Sequence, residues 1–237
     1  MAVYIYSVIG KQHPAHLDDL HGVGDPPAAL RVVAAGPLCA VVSDAPDDLR
    51  AKRRDLGAHQ QVQDALMSDG TVLPLRFGLM APDDEAVRLA LEERADEYLD
   101  RLRALEGCAE YNLKAAQEEE SLLRQILESS GEARRLNEEI RGGSAGPDAP
   151  VRLGEMVAAE VQARQEALAS GVVEALRPFA RDHMQTAPLG EDFLNVSFLV
   201  PADKEELFLA TELSVANQMG EDLDFRLTGP LPPYSFV

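Results

Sequence analysis

The chain has 237 residues, 46% of them hydrophobic, and carries 41 Asp and Glu against 22 Lys and Arg, a net charge of −19. That apolar share excludes a wholly disordered chain, and the charge excludes nonspecific binding to a phosphate backbone. No apolar run reaches the roughly 20 residues that span a bilayer. The start, Met1-Ala2-Val3-Tyr4, lacks the basic and long apolar stretches of a secretory leader, and Cys39 and Cys108 alone make neither a disulfide framework nor a zinc site. A cytoplasmic protein with no membrane partner is the expectation.

Val3 to Ile9 is β-branched and aromatic and stops at Gly10, which predicts a buried strand. Residues 11–28, rich in His, Asp, Gly and Pro, read as a loop. Leu30 to Ala35 and Leu38 to Ser43 are strands joined at Gly36-Pro37, a hairpin signal. Leu56, His59, Val62 and Leu66 recur at helical spacing through 48–68, with Gly70 as the stop. Pro74 bars Thr71 to Met80 from a central ladder position, so this segment is an edge strand or an extended loop. Pro82-Asp83-Asp84-Glu85 opens a helix whose stripe of Val87, Leu91, Ala95, Tyr98, Leu102 and Leu105 runs unbroken to Glu106, before Gly107.

A second pattern follows. Ala109, Tyr111, Leu113 and Ala115 alternate with polar residues as in a half-buried strand. Glu118 to Arg141 is helical and breaks at Ser129-Ser130-Gly131. Gly142 to Pro147 is a flexible-looking stretch. A long helix then carries Leu153, Val157, Val161, Leu168, Val172, Leu176 and Phe179, its last turns disturbed by Pro178. His183 is placed at that helix's negative end. Met184 to Pro188 and Phe193 to Val200 form a hairpin. Asp203 and Glu206 resemble a capping box for a helix carrying Leu209, Leu213 and Ala216, and Leu223, Phe225 and Leu227 alternate in a last strand. Without its helical insertion this order is βαββαβ, the ferredoxin-like arrangement. The predicted fold class is therefore α+β in two domains. Residues 1–106 form an N-terminal α+β domain. Residues 107–237 form a modified ferredoxin-like domain with an insertion at about 118–150 and a proline-rich tail that folds back onto the first domain.

The residues offer little catalytic chemistry. His13, His16 and His21 lie close together with Asp18 and Asp19, but their spacing matches no closed metal site and reads as a solvated loop. His59, on an apolar stripe, reads as a core or boundary histidine. There is no nucleophile elbow, no phosphate-binding glycine loop and no cofactor motif, and Glu118-Glu119-Glu120 is a solvated helix start. Arg76, inside the apolar stretch Thr71 to Gly78, is either a buried ion pair pinning the segment or part of a recognition strand at a sheet edge. In the second reading Leu73, Leu75, Arg76 and Phe77 form a partner-binding surface.

Six segments together carry a resemblance. They are Tyr4-Ile5-Tyr6, Ala40-Val41-Val42-Ser43, Thr71-Val72-Leu73-Pro74-Leu75-Arg76-Phe77-Gly78, Tyr111-Asn112-Leu113-Lys114, Asn195-Val196-Ser197-Phe198-Leu199-Val200, and Leu227 through Val237. In this order they are similar to the gas vesicle protein L/F family along nearly the whole chain, departing from it in the first loop and around 130–150. The resemblance implies an accessory or minor structural protein of gas vesicle assembly, with two α+β domains and neither catalytic residues nor cofactors. It implies contact with the small hydrophobic shell protein, either keeping it soluble or lying on the vesicle, and with other gas vesicle accessory proteins. An α+β protein that binds or transforms a small molecule is the alternative, since this fold serves many functions.

Overall fold

The computed structural model describes residues 1–220 and 222–237 and is a mixed helix-and-sheet protein. Its chain falls into two compact units. One comprises Met1–Tyr111 with Leu199–Ala202 and Gly229–Val237; the other comprises Asn112–Phe198 and Asp203–Thr228.

The first unit is built on a sheet of β1 (Val3–Gly10), β2 (Leu30–Ala35), β3 (Leu38–Asp44), β4 (Val72–Pro74) and β5 (Met80–Ala81), ordered β2-β3-β1-β4 with β5 also paired to β1. Gly36, at φ +57°, makes the turn between β2 and β3. Pro74 ends β4 after three residues at the sheet edge, where its missing N–H costs no ladder bond. The β1–β3 register slips between Ile5 and Ser7, which leaves Tyr6 as an extra residue, a β-bulge. This bulge resets the alternation of side chains along β1. Val3, Ile5 and Val8 join one apolar cluster and Tyr4, Tyr6 and Ile9 the other, while Ser7 bonds to the same helix that covers the tyrosines.

That helix is α1 (Arg53–Asp69), which buries Val62 and Leu66 over one face of the sheet. The other face is covered by α2 (Asp84–Glu93) and α3 (Ala95–Leu105), through Val87, Leu91, Leu102 and Leu105. The single helix expected here is thus two. Arg94, at φ −113° and ψ 23°, leaves the helical region while its guanidinium binds the Glu97 carboxylate, and helical bonding resumes from its carbonyl to Tyr98 N–H. Asp83 caps α2 by accepting from Ala86 N–H at 2.8 Å.

The second unit contains β6 (Cys108–Gln117), α4 (Glu119–Ser129), α5 (Gly131–Arg141), α6 (Ala149–Leu176), β7 (Asp182–Gln185), β8 (Asp192–Pro201), α7 (Glu205–Met219) and β9 (Leu223–Leu231), the ends of β6, β8 and β9 belonging to the first. The sheet order is β7-β8-β6-β9. Ser130 breaks α4 from α5 and caps α5 with its hydroxyl. α4, α5 and α6 pack on one another, burying Leu122, Ile126, Leu136 and Ala149. Near the sheet, Val172, Val173 and Leu176 of α6 are buried, and the rings of Phe198 and Phe208 meet edge to face at 5.3 Å.

Three local expectations fail here. α6 stops at Leu176 and a single 3-10 turn carries Pro178, so His183 lies in β7, stacked on Phe198, and not at a helix end. Asp203 sits inside a 3-10 turn, Ala202–Lys204, so no capping box forms at α7. Leu209 and Leu213 are exposed, and α7 instead buries Phe208. The apolar residues of this helix are scattered around it without forming one stripe, so spacing alone did not choose its inward face; the contact with Phe198 did. Phe208→Ala is expected to destabilise the protein by about 3–5 kcal/mol, and Leu213→Ala by less than about 0.5 kcal/mol, in denaturant titrations. The reverse ranking would return α7 to the face expected from spacing.

Candidate functional site

α1 turns a polar edge toward the sheet. Asp55, His59 and Gln63 recur every fourth residue, and all three are buried. Buried polar groups need partners, and each has them. Asp55 accepts from Gly24 N–H at 2.9 Å, which holds its carboxyl below the ordinary range, aided by Arg54. The Gln63 amide donates to the carbonyl of Tyr6 at the bulge and accepts from the Ser7 hydroxyl. The Tyr6 hydroxyl accepts from Val23 N–H at 2.8 Å and pairs with Ser43, and burial raises its pKa. The loop before α1 comes close: a Cβ on Gly22 would lie 2.7 Å from the Tyr6 hydroxyl oxygen.

His59 bridges two phenols. Its Nδ1 is 2.8 Å from the Tyr4 hydroxyl and its Nε2 is 3.0 Å from the Tyr234 hydroxyl. A neutral imidazole gives one hydrogen and receives one, so it links both phenols whichever nitrogen holds the proton. Burial disfavours the imidazolium and lowers the His59 pKa; burial likewise raises Tyr234, to about 12. Tyr234 comes from the tail, which Glu110 also fixes: its carboxylate accepts from Ser235 N–H at 2.8 Å and from the Ser235 hydroxyl at 2.6 Å. Phe236 and Val237 pack on the α2–α3 side of the sheet.

Beside this network lies the segment after β4. Leu75 N–H donates to the Tyr6 carbonyl, and Gly78, at φ +94°, donates to the Tyr4 hydroxyl. These two bonds hold Arg76 and Phe77 between them. Phe77 is half-buried, with its ring 5.8 Å from those of both Tyr4 and His59. Arg76 is exposed, and the buried ion pair considered for it does not form. Of the other two candidate residues, Leu73 is 2% exposed inside the core and Leu75 packs on the same core at the surface. The segment therefore leaves Arg76 exposed and Phe77 partly so.

An open groove runs along this surface, lined by Arg53, Leu56, Gly57, Arg76, Phe77 and Tyr234. Among the described residues, neither Arg53 nor Arg76 meets a carboxylate. They stand near the densest basic run of an acidic chain, Arg50-Ala51-Lys52-Arg53-Arg54. Gly57 is in the interior of α1, where glycine costs about 1 kcal/mol relative to alanine, yet apart from the adjoining backbone of α1 itself no atom lies within 4 Å of where its Cβ would be.

Two of the three loop histidines make structural contacts. His13 Nε2 donates to the Leu66 carbonyl at 3.0 Å and its Nδ1 accepts from Ala15 N–H, which closes the end of α1. His16 pairs with Asp69 at 3.0 Å, and His21 is exposed. Among the described residues no three His, Cys, Asp or Glu are placed to hold a metal, and no helix is long and apolar enough to cross a membrane. The residue-level reading did not find the Tyr4–His59–Tyr234 relay or the Glu110–Ser235 clasp. The recurrence of Asp55, His59 and Gln63 at every fourth position was the one local signal; the tail's partners had none.

Comparison with known proteins gives the class. The family model described as gas vesicle synthesis protein GvpL/GvpF matches residues 2–237, and the chain belongs to this family. It is 43% identical to gas vesicle protein F of Streptomyces sp. (strain CB03234) over the full length of both chains. It is 30% identical to gas vesicle protein L of the same strain, over 99% of this chain and 92% of that one. The fold matches the crystal structure of the gas vesicle protein GvpF from Anabaena sp. PCC7120, with a TM-score of 0.89 at 22% identity over 99% of this chain and 97% of that one.

The His59 network has a pH signature. Its pKa is depressed in the folded state, so its full contribution is present above the ordinary value near 6.5 and is lost as pH falls below that toward the folded value. His16, raised by Asp69, acts oppositely, stabilising fully below 6.5 and losing that contribution as pH rises. Between pH 6.5 and 5.5 the unfolding free energy is expected to fall with a slope component of up to about 1.4 kcal/mol per pH unit that His59→Gln removes. Denaturant titrations of both proteins at the two pH values measure it, and identical slopes would refute it.

Proposed function

We propose that the protein is an accessory or minor structural component of gas vesicle assembly that binds the small hydrophobic shell protein through the groove around Arg76 and Phe77. The family membership supports the process, and the exposed Arg76 beside the half-buried Phe77 on a hydrogen-bonded loop supports the surface. An aggregation-prone amphipathic subunit needs an apolar foothold on a body that stays dissolved. Phe77, Leu56 and the Tyr234 ring offer the foothold, and a net charge of −19 offers mutual repulsion between loaded molecules. The work is placed in the cytoplasm, at the vesicle, with other gas vesicle proteins as further partners and no catalytic step. Identity of 43% to the F protein against 30% to the L protein of one Streptomyces strain favours an F-type role.

The second unit is read as a modified ferredoxin-like domain. Its order β7-β8-β6-β9 puts the first and third strands of the unit in the middle, as the split βαβ pattern requires, with α4 and α5 as the insertion.

Arg76→Glu and Phe77→Ser, checked for folding by circular dichroism, are expected to weaken capture of co-expressed shell protein about 30-fold, the effect of truncating an anchor worth about 2 kcal/mol. Full capture by both folded variants would move the binding surface elsewhere. Washing purified vesicles with denaturant then separates a transient chaperone, which leaves, from a retained component, which stays.

A further inference from the structure

We infer that the ligand of this groove is an amphipathic helix with an acidic flank, lying across α1 at Gly57. The inference rests on the docking surface proposed above and specifies the chemistry of what docks there. Three observations converge on it. The first is charge. In a chain of net charge −19, the groove holds two exposed guanidinium groups, Arg53 and Arg76, without carboxylate partners among the described residues. The body repels anions at long range, so an acidic ligand gains where unpaired cations stand together, as these two arginines do beside the groove, and a basic ligand would be drawn to the rest of the surface instead. The second is shape. Arg53, Leu56, Gly57 and Gln60 line the groove from successive turns of one face of α1, so the wall is a straight helical ridge and not a closed pocket. A second helix laid along a groove of this kind is a recurrent mode of recognition, read through apolar anchors on one face.

The third observation is Gly57. Nothing in the chain approaches its missing side chain, so no packing within the molecule requires glycine there. Glycine on a helix surface lets another backbone come close, and Leu56, exposed beside it, supplies apolar contact at the same level. The arrangement seats the partner's apolar face on Leu56, Phe77 and the Tyr234 ring, and its carboxylates between Arg53 and Arg76.

The experiment uses two synthetic, covalently stapled helical peptides that share one leucine face and differ only in having Glu or Lys beside it. Fluorescence anisotropy with the full chain at low salt is expected to give about tenfold tighter binding of the Glu peptide, and the double variant Arg53→Glu/Arg76→Glu should invert that preference. Gly57→Ala should raise the thermal unfolding midpoint, since alanine is the better helix former and has room, while weakening the Glu peptide several-fold. Equal binding of the two peptides, a preference unchanged by the charge reversal, or a stabilised Gly57→Ala that binds the Glu peptide as before would each overturn the inference. Loss of shell-protein capture by Arg76→Glu without any Glu-peptide preference would leave the docking surface standing and reject this ligand. The converse would keep the ligand class and reject the shell protein as its source.

Discussion

The first unit hangs on how α1 meets the bulge in β1. The extra residue at Tyr6 turns two consecutive polar residues, Tyr6 and Ser7, toward the helix, and it leaves the Tyr6 carbonyl in need of donors. Gln63 and Leu75 N–H supply them. A buried polar group left without a partner costs about 1–3 kcal/mol, so this seam tolerates little change of register. It is satisfied throughout: among the described residues, the one buried side-chain polar atom without a partner is Gln117 Oε1, at the end of β6. An apolar seam of the same size permits sliding; hydrogen bonds of fixed direction do not.

That rigidity passes to the surface. The bonds from Leu75 to Tyr6 and from Gly78 to Tyr4 anchor the Arg76–Phe77 loop to the bulged strand, while the tail reaches His59 through Tyr234. The groove is therefore bounded by groups that all refer to one strand, although they come from sequence positions 53–60, 76–77 and 234. A surface assembled in this way holds its shape without a ligand, which lowers the ordering cost of binding.

The sequence displayed elements better than it displayed contacts. Periodicity and turn residues located the β2–β3 hairpin, the edge strand ended by Pro74 and the Ser130 break, because each is decided by residues next to one another in the chain. It failed where a choice depended on distant partners. The spacing in α7 admits Leu209 and Leu213 as readily as Phe208, and only Phe198, in another strand, decides between them. The Thr71 to Gly78 segment stood out through its proline and lone arginine. Which of its residues face outward was set by bonds to Tyr4 and Tyr6, some seventy positions away. Glu110 looked like one polar position in an alternating strand; its partner, Ser235, lies 125 residues further on.

Gly229–Val237 belong to the first unit, although every residue of the second is translated before them. During synthesis the amino-terminal sheet must therefore wait, with the Glu110 carboxylate unclasped and the seat of Phe236 and Val237 vacant, until residues 229–237 emerge. Completion of the groove is thus ordered after synthesis of the second unit: until Tyr234 has emerged, the groove lacks one of its walls.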